Sequence, residues 1–234
     1  MTHKPKISIL MSVYNCSNVL KHSINSILNQ DFSNFEFLIM NDGSTDESHE
    51  ILNNYLKLDE RIQLFHNSTN LGLTKSLNLL LRESTAKYIA RQDADDVSLT
   101  NRFSRQLDVL ESQNYDICVS RAVKKNSKKL IPNISYWVPK KILFKFKNPY
   151  IHGTLIAKRK VFEKVNGYDE KFYYSQDYKF FSDCYKQNFK IKYLNEPLYI
   201  LNTKGNISSK NYFEQKKFAD LVKSEYKIYE NLFK

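Results

Sequence analysis

Glycine is scarce in this chain: five residues in 234, at positions 43, 72, 153, 167 and 205. None of them forms GxGxxG or GxxxxGK[ST], so the glycine loops that cradle dinucleotides and P-loop nucleotides are excluded. Five prolines leave room for long regular elements and rule out a proline-rich or collagen-like chain. Cys16, Cys118 and Cys184 are an odd number without metal-ligand spacing. They read as free thiols in or near a core, which suits the cytoplasm better than a disulfide framework does. No run of about 18 apolar residues occurs, so no transmembrane helix is expected. The start, Met1-Thr2-His3-Lys4-Pro5-Lys6, leads into a strand pattern and not into the apolar stretch of a signal peptide.

Acidic residues are also scarce, but only in one half. Residues 1–117 hold 11 Lys/Arg and 15 Asp/Glu, whereas residues 118–234 hold 25 and 10, giving −4 and +15. A basic half favours an anionic partner such as a membrane surface, a lipid phosphate, an acidic glycan or nucleic acid, or else it is a solvated lysine surface.

What is abundant is alternation. Ile7–Val13 reads as a buried parallel strand, and Ser17–Asn29 has Val19, Leu20, Ile24, Ile27 and Leu28 at helical spacing. Phe35–Met40 is a second strand. After the Asn41–Ser44 turn, Ser44 or Thr45 is placed to cap a helix carrying Ile51, Leu52, Tyr55 and Leu56. Ile62–Phe65 is a third strand, and Asn70-Leu71-Gly72 opens a helix through Leu73, Leu77, Leu80 and Leu81. Lys87–Ala90 is a fourth strand; Thr100 is placed to cap a helix with Phe103, Leu107 and Leu110 inward; Tyr115–Val119 is a fifth. Four strand–helix repeats predict a doubly wound α/β sheet with helices on both faces. Ligands bind such sheets beyond the carboxyl ends of the strands. There the chain places Tyr14-Asn15, Asp42-Gly43-Ser44, Asn70-Leu71-Gly72 and Asp93–Asp96. The alternation breaks after residue 120. A basic, aromatic stretch with the lone Trp137 follows, then a turn and strand over Asn148–Ala157, a turn at Asn166–Asp169 and a helix from Ser175 through Cys184. Residues 211–233 read as an amphipathic tail with Phe218, Leu221, Val222, Tyr229, Leu232 and Phe233 on one stripe, suited to docking on the domain or to a membrane.

The densest chemical signal is Arg91-Gln92-Asp93-Ala94-Asp95-Asp96. Three carboxylates within four residues repel one another. Mg²⁺ or Mn²⁺ prefers such hard oxygens and commonly bridges them to a substrate phosphate. The plainer alternative is an acidic turn that caps the next helix.

Taken in order, Ile7–Asn15, Asn41–Asp46, Asn70–Asn78, Arg91–Leu107, His152–Thr154, Gly167–Glu170 and Gln176-Asp177 resemble family 2 glycosyltransferases of the GT-A fold. The resemblance implies one such domain over residues 1–204, a Rossmann-like nucleotide-sugar half at 1–117 and a smaller acceptor half at 118–204, followed by a helical tail at 205–234. It implies inverting transfer of a hexosyl or N-acetylhexosaminyl group from a nucleotide-diphospho-sugar, UDP-linked, to a hydroxyl of a bacterial lipopolysaccharide, lipooligosaccharide or capsule. Tyr14, Asn15 and Asp42 resemble the positions that hold base and ribose, with Gly43, Ser44, Asn70 and Lys75 beside the donor. Asp93 and Asp95 look like the family's DxD motif, Asp93 facing the ribose or sugar and Asp95 binding Mn²⁺ or Mg²⁺. Asp177 is similar to the catalytic base, and His152 and Gln176 fall on the acceptor side. Gln176 stands where relatives often have Glu. Leu198–Thr203 lacks the Arg and metal-binding His that many relatives carry, so the metal would rest on Asp95, phosphates and water.

Each of these residues has a plainer reading. Asp177 at a helix start gains from the helix dipole in any case. Lys75 either reaches phosphates or solvates its helix, and His152 either meets the acceptor or is a satisfied turn histidine. The competing functions are a non-catalytic glycan- or nucleotide-binding relative and a nucleic-acid-binding module. No helix-turn-helix, zinc or RNP signature supports the latter, and no nucleic-acid partner is expected. The expected location is cytoplasmic, with weak peripheral contact on the inner face of the cytoplasmic membrane.

Overall fold

The computed structural model describes residues 4–203 and 211–232. Gly205, Phe233, the first residues of the tail assigned to 205–234 and the opening Met1-Thr2-His3 lie outside the described residues. Within them run β1 (Ile7–Val13), α1 (Ser17–Leu28), β2 (Phe35–Asp42), α2 (Ser48–Leu58), β3 (Ile62–Asn67), α3 (Leu73–Glu83), β4 (Tyr88–Arg91), β5 (Val97–Ser98) and α4 (Arg102–Ser112). The second half continues with β6 (Ile117–Lys124), β7 (Leu130–Ile131), α5 (Lys140–Phe144), β8 (Ile156–Lys158), α6 (Arg159–Val165), α7 (Gln176–Lys186), β9 (Ile191–Leu201) and α8 (Tyr212–Leu232). Short 3-10 turns lie at Ile134–Tyr136 and His152–Thr154.

The strands form one mixed sheet in the order β3-β2-β1-β4-β8-β6-β9-β5, with β7 paired to β6. β3, β2, β1 and β4 are parallel, so their carboxyl ends share one edge. β8 runs antiparallel to β4 and β6. That reversal brings the turn before β8 to the edge where β4 ends.

Side chains alternate between faces along each strand. Ile7, Ile9, Met11 and Val13 point into a core closed by Leu20, Ile24 and Ile27 of α1, Ile51 and Leu52 of α2, and Phe103, Leu107 and Leu110 of α4. Leu10, Leu38 and Met40 face the opposite core, closed by Leu77 and Leu80 of α3, Val161 and Phe162 of α6, Phe180 and Phe181 of α7, and Val222 and Tyr226 of α8. The doubly wound α/β expectation holds, with helices on both faces. The tail lies along this second core, with Phe218 packed at its margin and Leu221 and Leu232 exposed.

Several expectations shift. The fifth long strand begins at Ile117 and runs to Lys124. β5, α6 and β9 have no counterpart among the elements expected from the sequence; β9 carries little apolar alternation and is mostly half-buried along its length. Neither Ser44 nor Thr45 caps α2. The helix starts at Ser48, and Asp46 accepts the N–H of Ser48 through Oδ1 at 3.0 Å and that of Ser17, at the start of α1, through Oδ2 at 3.0 Å. Burial disfavours the Asp46 charge, but the hydrogen bonds from Ser48 and Ser17 outweigh it and hold the carboxyl at about 2. Thr100 likewise does not cap α4, which begins after Asn101 without a side-chain cap. All three cysteines are free; Cys118 and Cys184 are buried and Cys16 is half-buried.

Candidate active site

Two loops at the carboxyl edge are clasped together. Asn15, at the end of β1, has the left-handed φ of 50°. Its N–H donates to Ser44 Oγ at 3.1 Å, and its Oδ1 accepts the Thr45 N–H at 2.8 Å. Asn15 and Ser44, both expected beside the donor, therefore join the loop after β1 to the loop after β2, while Tyr14 stands half exposed at the rim. Gly43 closes the turn at φ +70°, and a Cβ there would lie 2.6 Å from the Thr69 carbonyl carbon, so only glycine fits.

Asp42 is buried and fully engaged. Oδ1 accepts Asn67 Nδ2 at 2.7 Å and the Leu71 N–H at 2.9 Å, while Oδ2 accepts the Gly72 N–H at 2.9 Å. Asn70 adds a second acceptor for the Gly72 N–H at 2.9 Å. In this arrangement Asp42 and Asn70 shape the loop that enters α3. Lys75 is exposed in the first turn of that helix.

The acidic loop follows β4. Asp93 pairs with the buried guanidinium of Arg91 at 2.5 Å, and its N–H donates to the Tyr199 hydroxyl at 3.1 Å. Arg91 also donates to the Leu10 carbonyl at 2.7 Å, and its Nε is buried without a hydrogen-bond partner among the described residues. Asp95 and Asp93 both remain partly open to solvent. Burial, then repulsion from Asp93, pushes the Asp95 carboxyl up to about 6. Burial and both neighbouring carboxylates push Asp96 up as well, although its Oδ1 accepts the Asn202 N–H at 2.6 Å. Asp96 thus braces the end of β9 while Asp93 and Asp95 stay partly exposed. Accumulated negative charge that raises a half-open carboxylate is relieved by a cation, and hard oxygens suit Mg²⁺ or Mn²⁺. Among the described residues no group of three or more His, Cys, Asp and Glu is arranged to hold a metal. One or two carboxylates would hold Mg²⁺ only together with water and a substrate phosphate.

The acceptor-side residues arrive from the reversed strand and from α7. Gly153 sits in the 3-10 turn before β8, and a Cβ there would come within 2.6 Å of Asp93 Oδ2 and 2.5 Å of the Tyr199 hydroxyl. His152 is half-buried with Nε2 2.8 Å from the Tyr168 hydroxyl. Burial, aided by the Arg91 charge, holds it well below its ordinary value, so its ring is neutral at neutral pH. Asp177, in the first turn of α7, accepts Asn148 Nδ2 at 2.7 Å through Oδ2 and its neighbour's Tyr178 N–H at 2.8 Å through Oδ1. Burial pushes the Asp177 carboxyl up; those hydrogen bonds oppose the rise and the Asp93 charge adds to it. Gln176 is half-buried beside Asp177.

Several residues packed around the candidate site carry no role in the sequence reading: Arg91, Arg102, Asn148, Gly153 and Tyr199. The spacing of Arg102 and Gln106, four apart on a helix with apolar neighbours, is a legible sign of a buried polar pair. Nothing in the sequence joins Asn148 to Asp177, 29 positions away.

A profile of the family described as Glycosyl transferase family 2 matches residues 8–176. Putative glycosyltransferase EpsE of Bacillus subtilis is 33% identical over 175 residues, covering 72% of this chain and 62% of EpsE. An uncharacterized glycosyltransferase of Haemophilus influenzae is 30% identical, over 96% of this chain and 74% of the relative. Among solved structures, S. aureus TarS 1-349 in complex with UDP-GlcNAc superposes with a TM-score of 0.78 at 19% identity, covering 93% of this chain and 65% of that one. The mannosyltransferase PcManGT of Pyrobaculum calidifontis, in complex with GDP-Man and Mn²⁺, gives 0.66 at 18% identity, over 84% and 56%. At such identities these likenesses establish the GT-A fold. The chain spans less than two thirds of EpsE and of both structures.

Gly153→Ala tests the crowding at Asp93. The added methyl is expected to displace the Asp93 carboxylate or the Tyr199 ring, moving amide NMR resonances at Asp93–Asp96 and Tyr199 while those of β2 and β3 stay in place. A spectrum unchanged around the acidic loop would show that Gly153 is not packed against it.

Proposed function

The chain belongs to glycosyl transferase family 2, and from that premise we propose that it moves a hexosyl or N-acetylhexosaminyl group from a UDP-linked sugar to a hydroxyl of a growing bacterial surface glycan, with inversion at the anomeric carbon. The acceptor class is lipopolysaccharide, lipooligosaccharide or capsule, free or lipid-linked, and the work is done at the inner face of the cytoplasmic membrane. Among the described residues no helix is long and apolar enough to cross a membrane. The observation that carries the reading is the pair of partly exposed carboxylates, Asp93 and Asp95, in the loop that follows β4 at the carboxyl edge of the parallel strands.

On this reading the loops joined by Asn15–Thr45 and braced by Asp42 form the floor under the nucleotide, with Tyr14 at the rim for the base and Lys75 at the mouth for phosphate. Asp93, held by Arg91, faces the ribose or sugar. Mn²⁺ or Mg²⁺, held by Asp95 with Asp93 beside it, would act as a Lewis acid on the diphosphate. Asp177 takes the proton from the attacking hydroxyl. Asn148 occupies Oδ2 as a donor and the Tyr178 N–H occupies Oδ1, which fixes the carboxylate plane while leaving a lone pair on each oxygen. A carboxyl pushed above its ordinary value by burial is a stronger base towards a hydroxyl than a solvated one. His152, neutral and tied to Tyr168, lines the acceptor side without adding charge.

Asp177→Asn keeps the shape and removes the basicity. Sugar transfer is expected to fall ~10²–10⁴-fold with donor affinity little changed. Near-normal turnover in this variant would remove Asp177 from the role of base. Asp95→Asn is expected to abolish Mn²⁺-dependent UDP binding in calorimetry while thermal unfolding of the unliganded protein is retained. Unchanged metal-dependent affinity would remove Asp95 from the metal site.

A further inference from the structure

Between Arg121 and Lys147 the chain carries nine Lys/Arg and no Asp or Glu. Within this stretch lies a segment whose apolar residues divide cleanly into buried and exposed sets. Tyr136 turns inward: its hydroxyl donates to the Tyr193 carbonyl at 3.1 Å, and its ring lies under the Arg121 guanidinium at 4.8 Å. Phe144 is fully buried against Tyr178, Tyr185 and Tyr226. The others stand out into solvent. Ile134 is 80% exposed, Trp137 74%, Ile142 53% and Phe146 68%.

The geometry puts two of them on one side. α5 continues as a helical turn past Phe144, because the Lys147 N–H donates to the Leu143 carbonyl at 3.0 Å. Successive residues in a helical turn are about 100° apart, so Ile142 and Phe146, four apart, share one side, roughly opposite Phe144. Exposed Lys141 and Lys147 flank that side. Lys140 folds back onto the Val138 carbonyl at 3.0 Å and over the Tyr136 ring, so it belongs to the inner layer. Lys145 is taken by Glu230 of α8 at 2.8 Å, which anchors the segment to the tail.

We infer that Ile134, Trp137, Ile142 and Phe146, with Lys141 and Lys147, form a surface that seats on an anionic lipid bilayer. Large apolar side chains flanked by Lys141 and Lys147, in a stretch with no carboxylate of its own, match the acyl–headgroup boundary of such a bilayer, where Trp rings settle and lysine stems reach up to phosphate. A protein partner would have to supply acidic groups around an apolar centre, whereas the bilayer supplies both as one continuous surface. The placement also bears on the site, and in this respect the inference rests on the sugar-transfer reading. The same segment leads directly into Asn148, which holds Asp177, and the Tyr178 hydroxyl donates to the Phe144 carbonyl. A bilayer under α5 would therefore present a lipid-linked acceptor from the side on which the base is fixed.

Trp137 is the single tryptophan of the chain, so its fluorescence reports this surface alone. The experiment titrates the full-length protein with phosphatidylglycerol-containing vesicles and with pure phosphatidylcholine vesicles, at low and high salt. Anionic vesicles are expected to shift the emission to the blue at low salt, with the shift reversed by salt. Lys141→Gln with Lys147→Gln should weaken vesicle affinity roughly 30-fold, from about 1 kcal/mol per lysine. Phe146→Ser should weaken binding even at low salt. UDP binding with Mn²⁺, measured on the same samples, should be unchanged in these variants, none of which alters a residue placed at the nucleotide; its failure in the unaltered protein would count against the sugar-transfer reading and not against the surface. The inference is overturned by no shift with either vesicle, by equal shifts with both, or by a blue shift that grows with protein concentration alone, which would mean that a second copy covers the face.

Discussion

The guanidinium of Arg102 is the fixed point around which the acidic edge is built. It is fully buried, and no carboxylate among the described residues pairs with it. All five of its N–H groups donate instead to neutral oxygens: Nε to Gln106 at 3.1 Å, one terminal nitrogen to Gln92 at 3.0 Å and Ser98 at 2.8 Å, the other to the carbonyls of Arg91 at 2.7 Å and Leu155 at 3.4 Å. Burial lowers it to about 10, so the charge is retained at neutral pH. A buried charge is tolerated only when its hydrogen bonds are met, and here meeting them ties the end of β4, the short β5, α4 and the approach to β8 to one centre. Gln106 passes the restraint on by donating to the Thr154 carbonyl at 2.8 Å, beside Gly153.

From that centre the electrostatics follow. The Arg102 charge lies over the Tyr199 ring at 5.1 Å, and the Tyr199 hydroxyl accepts the Asp93 N–H. Arg91 supplies the second buried positive charge and takes Asp93 directly. Two buried cations on the protein side of the loop hold Asp93 in place, Arg91 directly and Arg102 through Tyr199, while burial and the Asp93 charge push the Asp95 carboxyl up. The arrangement polarises the edge, with buried cations behind the carboxylates of the loop. Asp177 completes it from the second core, where the aromatic layer of Phe144, Tyr178, Tyr185 and Tyr226 fixes the start of α7 and the segment leading to Asn148.

The parts of this architecture that are legible in the sequence are those set by local periodicity. β1 to β4 and α1, α3 and α4 follow from apolar spacing, and the polar residues that end those strands single out Asn15, Asp42 and the Asp93–Asp96 run. What periodicity does not encode is who answers a polar group across the fold. Ser44 and Thr45 have the right chemistry to cap α2, but Asp46 does so and serves α1 at the same time, a contact that exists only once β1 and β2 are side by side. Asp42 reads as a ligand residue, yet its oxygens are satisfied by Asn67 and by backbone N–H groups of the loop before α3. Nothing in the local pattern separates Phe144, fully buried in the second core, from Ile142 and Phe146, which stay exposed. β9 escapes a periodicity reading because its partners, β6 on one side and β5 on the other, leave it half-buried without a period of two.

In the proposed reaction a hydroxyl held at Asp177 attacks a sugar whose diphosphate sits at Asp93 and Asp95, in a single displacement. Proton NMR of UDP-sugar turnover, with water as the surrogate acceptor, reads the outcome directly in the anomeric proton of the first sugar released. The account predicts that an α-linked donor yields the β-anomer first, with the α-anomer appearing only by later mutarotation. Release of the α-anomer first would mean retention of configuration, and would contradict both the single displacement and the role assigned to Asp177.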